Sequence, residues 1–439
     1  MPRMKRAVAT APHLRRAGLF VAIGGLAGIG FATLLPEPGA AVGSHLCLLC
    51  GSLGGVNSIL NVLLFVPLGI GLALYGFTGT RAVVAMFVLS ALIETAQLLV
   101  IPGRYSTVGD LITNSLGGAL GFVIGRYASD FLRPPPRIAM ALTVGWSALW
   151  LAIQATSAFG LSPLIPRSDY YGQIAPCIGD FEQFKGRVLR ATIADVLVPD
   201  TRFEDSRRVR HLLMSGAIVT LAILAPAPES GIAPIVRIAD TSQREILLVA
   251  QTGSDLVFGV RTGASALRLR PPLFAMADGI TAPPAGESGQ TLDTTTVSAR
   301  YSPREVWVRT QSRTSHDRRI AITASLAWTF LLPFQWFIMG TGVEVAVSVI
   351  WIACLVFPIG YWGAWIVRVR PIRAAARARM VGFPVALMLL YVGLVAVPRE
   401  FGLPAASALE WIAAVTGLFA GVALAARAST PAAKADQTD

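Results

Sequence analysis

Long apolar windows alternate with short polar connections along most of the chain, near residues 17–36, 58–76, 82–101, 108–126, 138–158, 320–338, 344–367, 380–398 and 407–426. A helix of roughly 20 apolar residues, rising 1.5 Å per residue, covers the ~30 Å hydrocarbon core of a bilayer. Nine membrane spans are therefore expected. Between 160 and 318 the pattern changes to short alternating runs separated by turn residues. Runs at Val209 to Ile223, Ile235 to Ala239, Glu245 to Ala250, Leu256 to Val260, Ala266 to Leu269 and Glu305 to Arg309 read as strands, with turns at 240–243 and 252–255. Such spacing predicts an antiparallel β-sandwich. The fold class is thus a polytopic α-helical membrane protein with an inserted antiparallel β-sandwich domain.

Composition agrees: 54% of residues are hydrophobic and only 14% charged, and the mean hydropathy is +0.61. A formal charge of +12 could signal nucleic acid, but the arginines flank apolar windows or mix with acids, so they read as topology signals and no nucleic-acid partner is expected. Arg3, Lys5, Arg6, Arg15 and Arg16 precede the first window. Arg81 follows the second, and Arg126, Arg133 and Arg137 follow the fourth. All belong in the cytoplasm. The long basic lead and the lack of a small-residue cleavage site favour an uncleaved anchor over a secretory signal. With nine spans the β domain falls outside, but so does the basic stretch Arg368, Arg370, Arg373, Arg377 and Arg379, against the charge rule. Either one span is miscounted, with a re-entrant segment near Pro333 or Pro358, or this basic stretch is an exception; the β domain is kept outside, because long domains translocate largely regardless of charge. The tail at 427–439 is small and polar, as in disordered termini.

The third and fourth windows carry polar groups that lipid penalises by roughly 2.5 to 3.5 kcal/mol per charge. Helical spacing brings Ser90, Glu94, Gln97 and Ile101 onto one face, and Asp110, Asn114, Gly117 or Gly118, Gly121 and Gly125 onto another. The short connection through Pro102, Gly103 and Arg104 makes the pair a hairpin. Arg104 is expected to neutralise Glu94 or Asp110, while Gln97 and Asn114 complete the hydrogen bonds. Gly117, Gly121 and Gly125 repeat a small-xxx-small spacing that admits a neighbouring backbone. Interhelical glue and a ligand site both fit this face.

Residues 61–69 (NVLLFVPLG), 93–97 (IETAQ), 102–104 (PGR) and 110–125 (DLITNSLGGALGFVIG) together resemble the VanZ-like family of bacterial membrane proteins. The resemblance covers about 17–130 and implies a four-helix module, associated through the family's namesake with low-level resistance to the glycopeptide teicoplanin. Ser106 and Thr107 stand where many relatives carry a second acid, and Asn57 where an aspartate is expected. Both departures argue against a metal site or a two-carboxylate mechanism. The opening of the β domain, 179–186 (GDFEQFKG), and its paired runs are similar to concanavalin A-like sandwiches of the LamG type, which implies glycan binding through aromatics and a calcium ion held by acids. Tyr170, Tyr171, Tyr301 and Trp307, with Asp240 and Asp255, are the groups available for that role. Read singly, each is an ordinary core aromatic or turn acid.

Cys47 and Cys50 form a CxxC in the first external loop, near His45, and Cys177 lies on the same side. A redox pair, a disulfide or half a metal site fits the spacing, but no further ligands accompany it, since His13, His211 and His316 are scattered. Two apolar loop cysteines are the adopted reading, with no metal and no cofactor. Glycines between Gly24 and Gly30 read as helix packing.

Three readings follow, and the sequence identifies no catalytic residue. The first is a non-catalytic or transport-like envelope protein in the bacterial cytoplasmic (inner) membrane. It would bind an amphiphile such as a lipid-linked glycan or a glycopeptide through Glu94, Gln97, Arg104, Asp110 and Asn114, with membrane lipids as its other partner. The alternative is an intramembrane enzyme acting on a lipid-linked substrate, and the third is a structural scaffold. The domains expected are a VanZ-like module at 17–130, a fifth helix at 138–158, the sandwich at 160–318 and C-terminal membrane helices at 320–426.

Overall fold

The computed structural model describes residues 12–36, 47–104, 106–179, 181–226, 229–280, 294–332, 337–368 and 372–428. Arg3, Lys5, Arg6, His45, Pro333, Arg370 and the residues from 429 onward lie outside them, as do the side chains of Arg368, Arg373, Arg377 and Arg379. Among the described residues, eight helices are long and apolar enough to cross a membrane. Packing divides the chain into two units. One is drawn from Met1–Val144, Tyr361–Arg379 and Gly421–Asp439, the other from Gly145–Gly360 and Met380–Ala420.

In the first unit, α1 (Pro12–Leu34), α2 (Gly54–Tyr75), α3 (Gly79–Leu99) and α4 (Val108–Arg126) form a four-helix module, followed by the short α5 (Ala128–Leu132). Helix α2 ends at Gly76 in the left-handed conformation, where its N–H returns to Leu72 and Ala73. Helix α4 starts at Thr107, whose hydroxyl accepts the N–H of Asp110 at 3.0 Å. Between α3 and α4 the chain reverses through Pro102 and Gly103, and Gly103 takes a φ of +77° that a side chain would resist.

Glycines bring α2 and α4 into backbone contact. A Cβ on Gly117 would sit 2.2 Å from the Val62 carbonyl oxygen, and one on Gly121 would sit 2.1 Å from that of Val66. Gly69 faces the Gly118 carbonyl in the same way, at 2.1 Å. The expected small-xxx-small seam is therefore present. Within the 24–30 run, Gly25 packs on Leu68, whereas Gly24 and Gly28 meet nothing within 4 Å. Phe65, Met86, Ala82 and Ile29 fill the module's core.

In the second unit, two antiparallel sheets make the β domain. The first has the order β1-β5-β6-β7-β8, from β1 (Tyr170–Ile174), β5 (Glu229–Asp240), β6 (Glu245–Gly253), β7 (Asp255–Val260) and β8 (Phe274–Met276). The second has the order β11-β10-β9-β4-β2-β3, from β2 (Arg187–Ile193), β3 (Val196–Leu197), β4 (Val219–Leu224), β9 (Thr294–Tyr301), β10 (Glu305–Gln311) and β11 (Ser315–Ala321). Burial alternates along β4 and β9, as in a sheet with one wet face. Strands β6 and β7 are buried on both faces, the second covered by Phe181, Leu273, Phe337 and Met339.

Three expectations are corrected here. Residues 209–214 belong to helix α7 (Ser206–Met214), capped by Asp205, rather than to a strand. Residues 266–267 lie in a 3-10 turn (Gly263–Leu267). Most consequentially, 320–338 is not a span: β11 ends at Ala321, a 3-10 helix occupies Ala324–Leu331, and Ile338 pairs with Phe274 at the edge of β8. Among its described residues, Ile322, Leu326 and Phe330 are buried in protein, and Phe337 packs on the cluster that covers β6 and β7.

The remaining helices are α6 (Pro136–Leu161), α8 (Val343–Arg368), α9 (Ile372–Tyr391), α10 (Val397–Glu400) and α11 (Ala408–Ala428). A π-helical turn (Val392–Ala396) joins α9 to α10, at the place where Gly393 lies against the Trp150 ring. Trp150, Ile352, Val356, Leu390, Leu394 and Ala414 form the core of this helical part.

Candidate functional site

The polar groups expected on the hairpin do converge, at the end of the module where α1 and α3 finish and α4 begins. Burial is nearly complete for Glu94, Gln97, Asn114 and Ser90. Thr107 joins the two carboxylates: its N–H donates to Glu94 Oε2 at 2.9 Å and its hydroxyl to Asp110 Oδ2 at 2.8 Å. The Ser106 hydroxyl also hydrogen-bonds Glu94, and the two carboxylates lie close enough to repel. Thus Ser106 and Thr107, at the positions where the resemblance implies a further acid, bind the carboxylates that are present.

Asn61 on α2 donates to Asp110 Oδ1 at 2.7 Å. Asn114 donates to Ser90 Oγ at 3.1 Å, and among the described residues its own carbonyl oxygen has no partner. Gln97 reaches α1 instead of the hairpin, donating to the Thr33 carbonyl at 2.9 Å. Arg104 does likewise, donating from Nε to the Leu35 carbonyl at 3.1 Å and from Nη2 to that of Ala32 at 3.0 Å. A cation at the last carbonyls of α1 complements the negative end of that helix. Its charge also attracts Asp110 across the site.

Asn61, Thr107 and Thr33 complete the site; the sequence marks the first two only through the resemblance and assigns none of the three to the site. Asn61 had a signal, being an amide inside an apolar run. Thr107 had one too, as a cap residue three before an acid. Thr33 had none, because its contribution is a backbone carbonyl.

Cys47 and Cys50 are joined as a disulfide, which corrects the reading of two unlinked loop cysteines. Their loop covers the start of α4: the Cys47 carbonyl accepts the N–H of Gly109 at 3.2 Å. Among the described residues, no three His, Cys, Asp or Glu side chains come together as a metal site.

In the β domain, Tyr170 and Tyr301 are fully buried and present no face to a sugar. The Tyr170 hydroxyl donates to the Pro166 carbonyl, and that of Tyr301 to the Leu161 carbonyl at 2.7 Å. Burial pushes the Tyr170 phenol up to about 12 and raises that of Tyr301 as well. Trp307 is half-buried and donates to the Asp317 carboxylate at 3.1 Å. Asp255 accepts the N–H of Asp278 at 3.0 Å.

Asp240 staples the β5–β6 turn. It accepts the N–H groups of Ser242 at 2.9 Å and Arg244 at 3.0 Å, and pairs with the Arg244 guanidinium at 2.9 Å. Burial opposes its charge, yet these hydrogen bonds and the guanidinium outweigh burial and hold the carboxyl below its ordinary range. A depressed folded-state pKa stabilises the fold above the unfolded value of about 4, and that stability is lost as pH falls through the folded value. Asp240→Asn should cost about 1–3 kcal/mol at neutral pH. It should also flatten the acid limb of a denaturation series followed by tryptophan fluorescence. An unchanged acid limb would deny Asp240 this role.

Eight apolar helices among the described residues and a buried polar hairpin define a multi-pass membrane protein with an inserted β-sandwich. Residues 38–129 match the family described as VanZ/LLP1, a segment that holds α2 to α4 and all five hairpin residues. No curated protein and no solved structure matches the chain.

Proposed function

We propose that the chain is a cell-envelope protein of the bacterial cytoplasmic membrane that holds the polar head of an amphiphile at the hairpin site. A lipid-linked glycan or a glycopeptide antibiotic is the class of ligand. The observation carrying this reading is the pair of carboxylates bridged by Thr107 beside the partly exposed Arg104. An anionic head would pair with Arg104, Glu94 and Asp110 would balance the charge, and Gln97 and Asn114 would orient the ligand.

Topology supports an outward-facing site. With eight spans, Arg15 and Arg16, Arg81, the 126–137 arginines and the 368–379 arginines all fall on one side, as the positive-inside rule prefers. The ends of α1 and α3, the starts of α2 and α4, and the β domain then fall on the other. The Cys47–Cys50 disulfide fits an oxidising compartment there.

Arg104→Ala should weaken binding of teicoplanin or of a polyprenyl-diphosphate-linked glycan to the purified protein by about tenfold or more, with Arg104→Lys intermediate. Unchanged binding in a normally expressed variant would rule out this role. The proximity of the two carboxylates favours one second reading, an intramembrane acid-base enzyme on a lipid-linked substrate. Glu94→Gln would then abolish turnover and leave binding intact, and absence of turnover across envelope lipids would remove that reading.

A further inference from the structure

The second unit holds a small cavity apart from the hairpin site, where apolar side chains such as Leu394 of the π-helical turn and Pro398 lie beside the polar Gln154 of α6, Thr323, Ser325 and Glu410 of α11. Glu410 is 5% exposed and Gln154 2% exposed. One oxygen of Glu410 is accounted for by capping, since Ser407 donates its N–H to Oε2 and its hydroxyl accepts the Glu410 N–H at 3.3 Å. The other, Oε1, points to the hydroxyls of Thr323, at 2.6 Å, and Ser325. Those hydroxyls also touch each other at 2.7 Å, so three oxygens cluster at one wall.

Two facts are not explained by a helix cap. Among the described residues no cationic side chain pairs with Glu410, although a buried carboxylate needs compensating charge beyond a helix end's partial dipole. Nor does the Gln154 amide have a hydrogen-bond partner among the described residues, although it is buried and lines the cavity. The cavity also abuts the π-helical turn, a feature frequent at functional sites.

We propose that this cavity binds one sodium ion, held by Glu410, Thr323, Ser325 and Gln154. Hard oxygen donors with a single carboxylate suit a monovalent cation, because calcium takes 6–8 oxygens and magnesium a near-ideal octahedron. A water molecule would satisfy Gln154 but leave the charge of Glu410 in place. The ion supplies that charge and takes the free amide oxygen as a ligand, while the two hydroxyls turn their lone pairs inward. Span parity puts the starts of α8 and α11 and the end of α6 on the β domain's side.

The test is equilibrium binding of ²²Na⁺ to the purified full-length protein in detergent, with choline as the replacement cation. Saturable binding of one ion per chain is expected in the wild type. Gln154→Leu and Ser325→Ala, which leave the Ser407–Glu410 cap untouched, should each weaken it by about tenfold or more while eluting as the wild type does. Absence of saturable binding in the wild type overturns the proposal whatever the variants do. So does wild-type affinity in both folded variants.

Discussion

Leucine at Gly121 should collapse the four-helix module, whereas leucine at Gly24 should leave it standing. A Cβ at Gly121 meets the Val66 carbonyl oxygen at 2.1 Å, and that atom is backbone in the middle of α2, with no side-chain rotation to relieve the clash. Helices α2 and α4 would have to separate along the seam that also includes Gly117 on Val62 and Gly69 on Gly118. Overpacking a well-fitted interface costs about 1–3 kcal/mol, and contacts with backbone fall at the upper end. Separation would also pull Asn61 from Asp110, now 2.7 Å apart, and so damage the site. The expected result for Gly121→Leu is a polydisperse elution profile or a melting temperature many degrees below wild type. Gly24 meets nothing within 4 Å, and leucine there gains about 1 kcal/mol of helix propensity. A Gly121→Leu protein as stable as Gly24→Leu would show that the seam does not hold the module together.

Eight of the nine expected spans exist because a bilayer imposes a length and an apolarity that no other element needs together. The ninth, 320–338, was misread because hydropathy does not separate a membrane helix from the end of a strand followed by core-packing residues. Ala324, Leu326, Ala327 and Phe330 are as apolar as a span and are buried in protein instead. The charged residues Asp317, Arg318 and Arg319 of β11, directly before the window, were the available warning. Helix α7 was missed for a related reason: Asp205 is a cap signal, but Val209 and Leu213 share a face only if the run is read at helical spacing.

The hairpin site was legible as a set of residues and illegible as a set of bonds. Helical periodicity puts Glu94 with Gln97 and Asp110 with Asn114 on facing sides, and those faces do meet. Periodicity cannot give the partners, because Arg104 and Gln97 bond to carbonyls of α1 whose position depends on how Gly18 and Gly25 seat it against α2. The cap Ser407–Glu410 was written in the sequence as S-x-x-E; its link to Thr323, across 87 residues, was not.

The removal of one span changes the side on which every later segment lies, and this yields an all-or-none expectation. Cys177 is free and exposed in the β domain, so it serves as its own reporter once Cys47, Cys50 and Cys354 are replaced by alanine. A membrane-impermeant maleimide should label Cys177 in intact cells. In a protein lacking all four cysteines, Arg133→Cys, beyond α5, should react only after permeabilisation. Arg373→Cys is the decisive position: with eight spans it must behave as Arg133→Cys does, and with nine it must behave as Cys177 does. The charge rule favours eight, because five arginines between 368 and 379 then share a side with those at 126, 133 and 137. Labelling of Arg373→Cys in intact cells would restore a ninth crossing. Protection of Cys177 would place the β domain and the hairpin site in the cytoplasm, where neither a glycopeptide nor the Cys47–Cys50 disulfide belongs.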